Sequence, residues 1–159
     1  MTPSESRPSV TPMIWYQDPK SAMAWLEKAF GFETRLLVED DRGGVVHSEL
    51  GIGNGIVGVV GPGEPPAGSP ARHGGRYTQA VHVQLGGGID EHYVRAKTAG
   101  ARVTRALADQ PYGDRVYVCA DPEGHIWSFG QTIRPMTPRE QARATGHRIR
   151  SSLREDAHD

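Results

Sequence analysis

Cysteine occurs once, at Cys119. An intramolecular disulfide is therefore impossible, and a cysteine-built structural zinc site is disfavoured. Charge of one sign is not in excess either. The 18 Lys and Arg stand against 19 Asp and Glu, a formal net charge of -1. No long basic face is demanded, which argues against a nucleic-acid partner. Long apolar runs are absent: no stretch approaches the ~18 residues that a membrane crossing needs. The polar, proline-bearing segment 1–10 has neither the positive start nor the apolar stretch of a secretory leader, so a cytoplasmic location is expected. What is abundant is turn-forming residues. The 20 glycines and 12 prolines imply many turns between short elements. A length of 159 residues, 36% of them hydrophobic, suits one domain or two small fused repeats.

Residues 11–16 read as a strand, since Met13, Ile14, Trp15 and Tyr16 all suit a pleated surface. Asp18 followed by Pro19 predicts a helix start: the carboxylate accepts from free amides, and proline fits the first turn. Ala22, Trp25, Leu26, Ala29 and Phe30 then recur at helical spacing on one face, and Gly31 supplies the stop. Strands are predicted at 34–39, 45–50 and 56–60. Residues 61–75, rich in Pro, Gly and Ser, read as a linker or mobile loop without a packing pattern. The order then starts again. A strand at 79–85 precedes a second helix marked by Ile89, His92, Tyr93 and Ala96 and closed by Gly100, and strands follow at 102–106, 116–120 and 125–130.

Gly31 and Gly100 lie 69 positions apart, and Ile56 and Ile126 lie 70 apart. A doubled βαβββ unit is therefore predicted, an α+β fold within a single domain at 9–133. Module 1 covers about 9–61, the linker 62–75 and module 2 about 76–133. In the tail, 134–159, Thr137, Pro138 and Glu140 form a capping box. Its apolar stripe is thin (Ala142, Ile149, Leu153), and Gly146 interrupts it. The tail reads either as a frayed, exposed helix or as one that docks on a partner subunit.

Several pieces, in this order, resemble a known superfamily. They are Thr11-Pro12 with Asp18, Ala29-Phe30-Gly31-Phe32, the strand His47-Ser48-Glu49-Leu50-Gly51-Ile52-Gly53, and Tyr112-Gly113-Asp114-Arg115. The hairpin Asp121-Pro122-Glu123-Gly124-His125-Ile126-Trp127 follows them. Together they resemble the vicinal oxygen chelate superfamily of glyoxalases, bleomycin resistance proteins and extradiol dioxygenases. The hairpin is most similar to its PhnB-like branch. The resemblance implies two βαβββ modules with curled mixed sheets around a cavity, a small-molecule partner, and a homodimer.

Members of that superfamily are either metal-dependent isomerases, lyases and dioxygenases, or metal-free drug-binding proteins. In the metal-dependent ones the ligands, His, Glu or Gln, stand on the first and last strand of each module. Carried over, these positions fall on Thr11, on Gly58 or Val59, on Val81 or His82, and on Ser128. At most one imidazole survives, and hydroxyls are poor transition-metal ligands. The resemblance thus implies a small-molecule-binding protein of the sequestration or resistance type, with no metal ligands and no cofactor. The alternative is a glyoxalase-like lyase or isomerase, or a dioxygenase, with one divalent metal ion in a non-standard site drawn from His47, Glu49 and His82.

Strand alternation sorts the remaining candidates. With Ser128 facing the cavity, Trp127 and Phe129 point to the helices. Val81, Val83 and Leu85 suit helix packing, which turns His82 and Gln84 to the cavity. Trp15 shares parity with Thr11 and Met13 and is either a stacking wall for a planar ligand or ordinary core. His47 and Glu49 share a face, as a base with its orienter, as half of a metal site, or as a self-paired solvated face. An offset of 70 matches them to Tyr117 and Cys119. Arg115 has the same parity, and either holds an anionic ligand or pairs structurally with Asp114 or Asp121. His125 is expected to close the hairpin turn, and Cys119 to be a buried, inert thiol. The expected ligand contacts are therefore Trp15, His47, Glu49, His82, Gln84, Arg115 and Ser128.

Overall fold

The computed structural model of the chain describes residues 7–153. Two four-stranded sheets are formed, each with one helix laid on it. The first contains β1 (Met13–Trp15), β2 (Glu33–Glu39), β3 (Val45–Ile52) and β4 (Gly55–Val60), in the order β1-β4-β3-β2. The second repeats the pattern with β5 (Ala80–Gln84), β6 (Arg102–Asp109), β7 (Asp114–Ala120) and β8 (Ile126–Thr132), in the order β5-β8-β7-β6. In each module the first strand pairs in parallel with the last, and the other pairs are antiparallel. The doubled βαβββ layout expected from the glycine spacing is the fold.

Helix α1 (Pro19–Phe30) begins where Asp18 accepts from the Ser21 amide at 3.1 Å, and it ends at Gly31, whose φ is 78°. Met23, Leu26, Ala29 and Phe30 are buried, while Ala22 and Trp25 pack at the margin. Helix α2 (Ile89–Thr98) starts at the left-handed Gly88, which offers no side-chain cap. Its first amide is instead satisfied by Gln131 Oε1 at 3.0 Å, reached across from β8.

One aromatic core joins the modules. The Phe30 ring lies 4.6 Å from Phe129 and 5.4 Å from Trp127, and Phe32 meets Trp127 at 5.5 Å. Each such pair adds about 0.5–1.5 kcal/mol beyond burial. Polar ties run alongside. Trp25 Nε1 donates to Ala99 O at 2.8 Å. Arg95 of α2 donates to the last-turn carbonyls of α1, Lys28 O at 2.7 Å and Glu27 O at 2.8 Å. At the other end of α1, the Glu123 carboxylate accepts from the amides of Gln17 (2.6 Å) and Asp18 (3.2 Å). Module 2 therefore caps both ends of the module 1 helix, with charge of the right sign at each.

Asp121 anchors this junction. It is buried, and its carboxylate accepts from Tyr16 Oη (2.6 Å), Trp127 Nε1 (3.0 Å) and the amides of Glu123 and His125 (3.0 Å each). Burial, and after it the Asp121 charge, hold the Tyr16 phenol well above its ordinary pKa. His125 does more than close its turn: its Nε2 donates to Trp15 O in module 1 at 2.7 Å. The Asp-Pro-Glu-Gly-His-Ile-Trp hairpin is thus an inter-module clamp.

The segment between the modules departs from a patternless linker. Ser69 and Pro70 are buried, and residues Pro70–Arg72 form a single 3-10 turn. Gly61, at φ 151°, lets the chain leave β4 directly over the Tyr16 carbonyl, where a Cβ would collide with backbone. The tail forms α3 (Pro138–Thr145) with the expected capping box, closed by Gly146. None of its residues is buried; Gln141 Nε2 reaches Tyr112 O at 3.3 Å.

Candidate functional site

Each sheet buries one face under its helix and leaves the other open. On the open faces three glycines lie under long side chains. A Cβ at Gly58 would strike the Met13 thioether, one at Gly51 would strike the Arg35 guanidinium, and one at Gly130 would stand 2.9 Å from Gln84 Oε1 and 3.1 Å from His82. None of the three has a positive φ, so backbone freedom does not call for glycine there. What glycine supplies is room for a side chain to lie flat across the sheet.

On the module 2 face, the register sets His82 beside Ser128 and Gln84 beside Gly130. Gln84 Nε2 donates to Asp114 Oδ2 (3.1 Å) and Thr132 Oγ1 (3.2 Å), which turns Gln84 Oε1 toward His82 Nε2 at 2.9 Å. An amide oxygen only accepts, so Nε2 carries the proton. Nδ1 meets the Ser128 hydroxyl, which can donate or accept, at 2.9 Å. The chain Asp114–Gln84–His82–Ser128 thus holds the imidazole in one orientation on an exposed face. His82 and Gln84 also line a cavity of about 410 Å³, whose walls include Val10, Phe32, Ile52 and Ile56 of module 1.

On the module 1 face, His47 Nε2 lies 3.2 Å from Glu49 Oε1, and Arg7 Nη2 donates to the same oxygen. Glu49 is buried by this partnership. Arg7, Arg35, Glu49, Asn54 and Ile56 line a second cavity of about 580 Å³. Neither arginine was expected at the site. Arg35 sits one residue before the paired positions that alternation singles out, because β2 carries a register shift between Thr34 and Leu36. Arg7 lies in the polar segment before β1, which has no periodicity to read.

The model of the Glyoxalase/Bleomycin resistance protein/Dioxygenase superfamily matches residues 10–129, most of the chain. The chain belongs to this superfamily. Among curated proteins it is similar to the uncharacterized protein Rv0887c of Mycobacterium tuberculosis, with 34% identity over 132 residues covering 80% of this chain and 76% of that one. Among solved structures it is similar to TioX from Micromonospora sp. ML1. That likeness has a TM-score of 0.63 and 37% identity, over 82% of this chain and all of TioX. At the level of fold alone it is similar to TnmS3, an antibiotic binding protein from Streptomyces sp. CB03234. There the TM-score is 0.59 and identity 14%, over 79% and 97% of the two chains. A similar fold-level likeness, TM-score 0.59 at 15% identity over 84% and 97%, links it to the fosfomycin resistance protein FosX from Listeria monocytogenes.

The superfamily's metal positions can now be set on the register. Met13 lies across from Gly58, and His82 across from Ser128. The residue matching His82 in module 1 is therefore Met13, not Thr11, which precedes β1. A thioether, a glycine, one imidazole and a hydroxyl do not fit a divalent Lewis-acid ion. Among the described residues, no three or more His, Cys, Asp or Glu are grouped so as to hold a metal ion. His47, Glu49 and His82 are thus not brought together within the chain.

Arg115 is turned the other way from its expected place. It shares parity with Tyr117 and Cys119, which are fully buried on the helix-covered face, and it reaches Asp90 of α2 (3.0 Å) and Asp109 of β6 (2.6 Å). The two carboxylates raise its pKa, and Arg115 in turn lowers that of Asp109. The reason is an offset of 69 here rather than 70: Leu50 and Cys119 are the matching core residues, so Val116 and Val118 answer to His47 and Glu49. Cys119 is buried, and burial, then the Asp121 charge, push its thiol up to about 12, far from a reactive thiolate. Trp15 lies outside the main core, and lines a third cavity of about 160 Å³ with Met13, Tyr77 and Gln79.

Proposed function

We propose that this chain is a small-molecule-binding protein of the sequestration or resistance type, acting without a metal ion. What supports the reading is the pair of open faces, each carrying a pre-ordered polar cluster over a sheet whose other side is committed to a shared core. An open sheet face that keeps such polar clusters suits a wet or ligand-filled cavity. TnmS3, an antibiotic binding protein, and FosX, a fosfomycin resistance protein, share this fold and agree with this class. The ligand contacts in this reading are Trp15, His47, Glu49, His82, Gln84 and Ser128. In this reading the protein works as a homodimer in the cytoplasm, where its one unpaired thiol is at home, and the sequence of the clamp hairpin supports a place in the PhnB-like branch.

A second reading is favoured by one observation. An imidazole held in a fixed orientation by its neighbours, as His82 is, suits a proton-transferring enzyme of this fold. The test is a screen of planar anionic and aromatic metabolites followed by tryptophan fluorescence. Binding without turnover is expected. Trp15→Ala should weaken it while moving thermal unfolding by only a few degrees, because a cavity wall loses less packing than a core site. Turnover abolished by His82→Gln would select the enzyme instead.

A further inference from the structure

We propose that Arg35, lying across Gly51, with Arg7 beside it, forms a subsite for an oxyanion carried by the ligand, a carboxylate or a phosphonate. This deepens the proposed function and rests on the module 1 face being part of a ligand cavity.

Four observations carry it. First, among the described residues Arg35 makes no hydrogen bond and no ion pair. By contrast, Arg7 is committed to Glu49, Arg95 to two carbonyls and Arg115 to two aspartates. Second, Arg35 and Arg7 line the same cavity, together with Asn54, whose amide is a further donor. Third, the one carboxylate there, Glu49, is already engaged by Arg7 and His47. Among the described residues, the Arg35 charge is therefore not cancelled locally. Fourth, Gly51 is extended rather than left-handed, yet a Cβ there would overlap Nε, Cζ and Nη2 of Arg35. The guanidinium lies in the space that the glycine leaves, and its planar fork suits two parallel bonds to an oxyanion.

The opposite face has complementary chemistry. The donors of Gln84 are spent on Asp114 and Thr132, and the Ser128 hydroxyl is engaged by His82. That face therefore offers acceptors. A ligand that used both faces would carry its acidic group at Arg35 and its donor groups at Ser128 and Asp114.

The experiment uses the full chain labelled with ¹⁵N, following the Arg35 Nε–H resonance during titration with benzoate, phenylphosphonate and neutral benzamide. The two anions should shift it and saturate. Arg35→Met should weaken anion binding by about 10-fold or more, the worth of a charge-assisted pair, with benzamide binding unchanged. Gly51→Ala keeps the charge but displaces the guanidinium, the flexible end of a side chain, so the fold survives. It should weaken the anions by several fold, and Arg35→Lys should fall between. Anion affinities in Arg35→Met and Gly51→Ala equal to those of the unmodified chain would overturn the subsite. Binding of benzamide without either anion would also overturn it, and would leave the cavity reading standing. No binding of any of the three would remove both.

Discussion

His92 shows how a single residue joins the two helices. Its Nε2 donates to Phe30 O at 2.8 Å, and its Nδ1 accepts from Tyr117 Oη at 2.7 Å. The carbonyl only accepts, so Nε2 carries a proton, and a neutral ring leaves Nδ1 free to accept from the phenol. Burial is the main cause lowering its pKa; the Arg95 charge acts the same way, against the Phe30 carbonyl. The unfolded chain therefore takes up this proton more readily than the folded one. The contribution to stability is present in full above the unfolded value of about 6.5 and is lost as pH falls through the lower folded value. We predict that the drop in unfolding midpoint between pH 8 and pH 5.5 will be smaller in His92→Gln than in the unmodified chain. Equal drops measured by circular dichroism would contradict it. Sequence periodicity marked His92 as a stripe residue, but could not show that its stripe faces another helix and a phenol.

At the scale of elements, α1 depends on groups from the other module. Glu123 sits at its amino end and Arg95 at its carboxyl end. Local signals accounted for the helix itself: Asp18, Pro19, the apolar stripe and Gly31. They did not reveal the remote caps, which lie more than 60 residues away in sequence. We predict that Glu123→Ala and Arg95→Ala each lower stability by about 1 kcal/mol, as losses of a helix cap do. The pair should be close to additive because the sites are at opposite ends of the helix. Urea unfolding of the three variants measures this. A contrasting element is β2, whose seven residues are all exposed. Its pattern reads as a half-buried strand, yet within one chain nothing covers Leu36, Leu37 and Val38, each about 40% exposed.

For the whole molecule, that uncovered strand bears on assembly. Leu36 lies opposite Glu49 and Val38 opposite His47, so both belong to the open face of module 1. An apolar edge strand of this kind is an association surface unless it is blunted or covered. We predict a homodimer at micromolar concentration, with the double substitution Leu36→Glu and Val38→Glu shifting the chain to monomer. Sedimentation velocity reads both states; a monomer for the unmodified chain would refute the dimer. Leu36 and Val38 are exposed and not part of the core that joins the modules, so the monomeric variant should keep its unfolding cooperativity.

The sequence by itself determined the elements, their duplication and the superfamily, because helical stripes, capping residues and turn glycines are local and the repeat spacing is visible without coordinates. It also placed His82, Gln84 and Ser128 on one face, since β5 and β8 are regular and alternation holds along them. Alternation failed where the ladders slip. Register shifts in β2, and unequal offsets between the modules, moved Arg35 onto the open face and put Arg115 on the helix side. Only the tertiary structure decided that Asp121 gathers four donors, that Glu123 and Arg95 cap a helix in the other module, and that Gly51 makes room for a guanidinium. Those facts depend on contacts between residues far apart in the chain, and the free energy that selects them belongs to the packed molecule rather than to any segment of it.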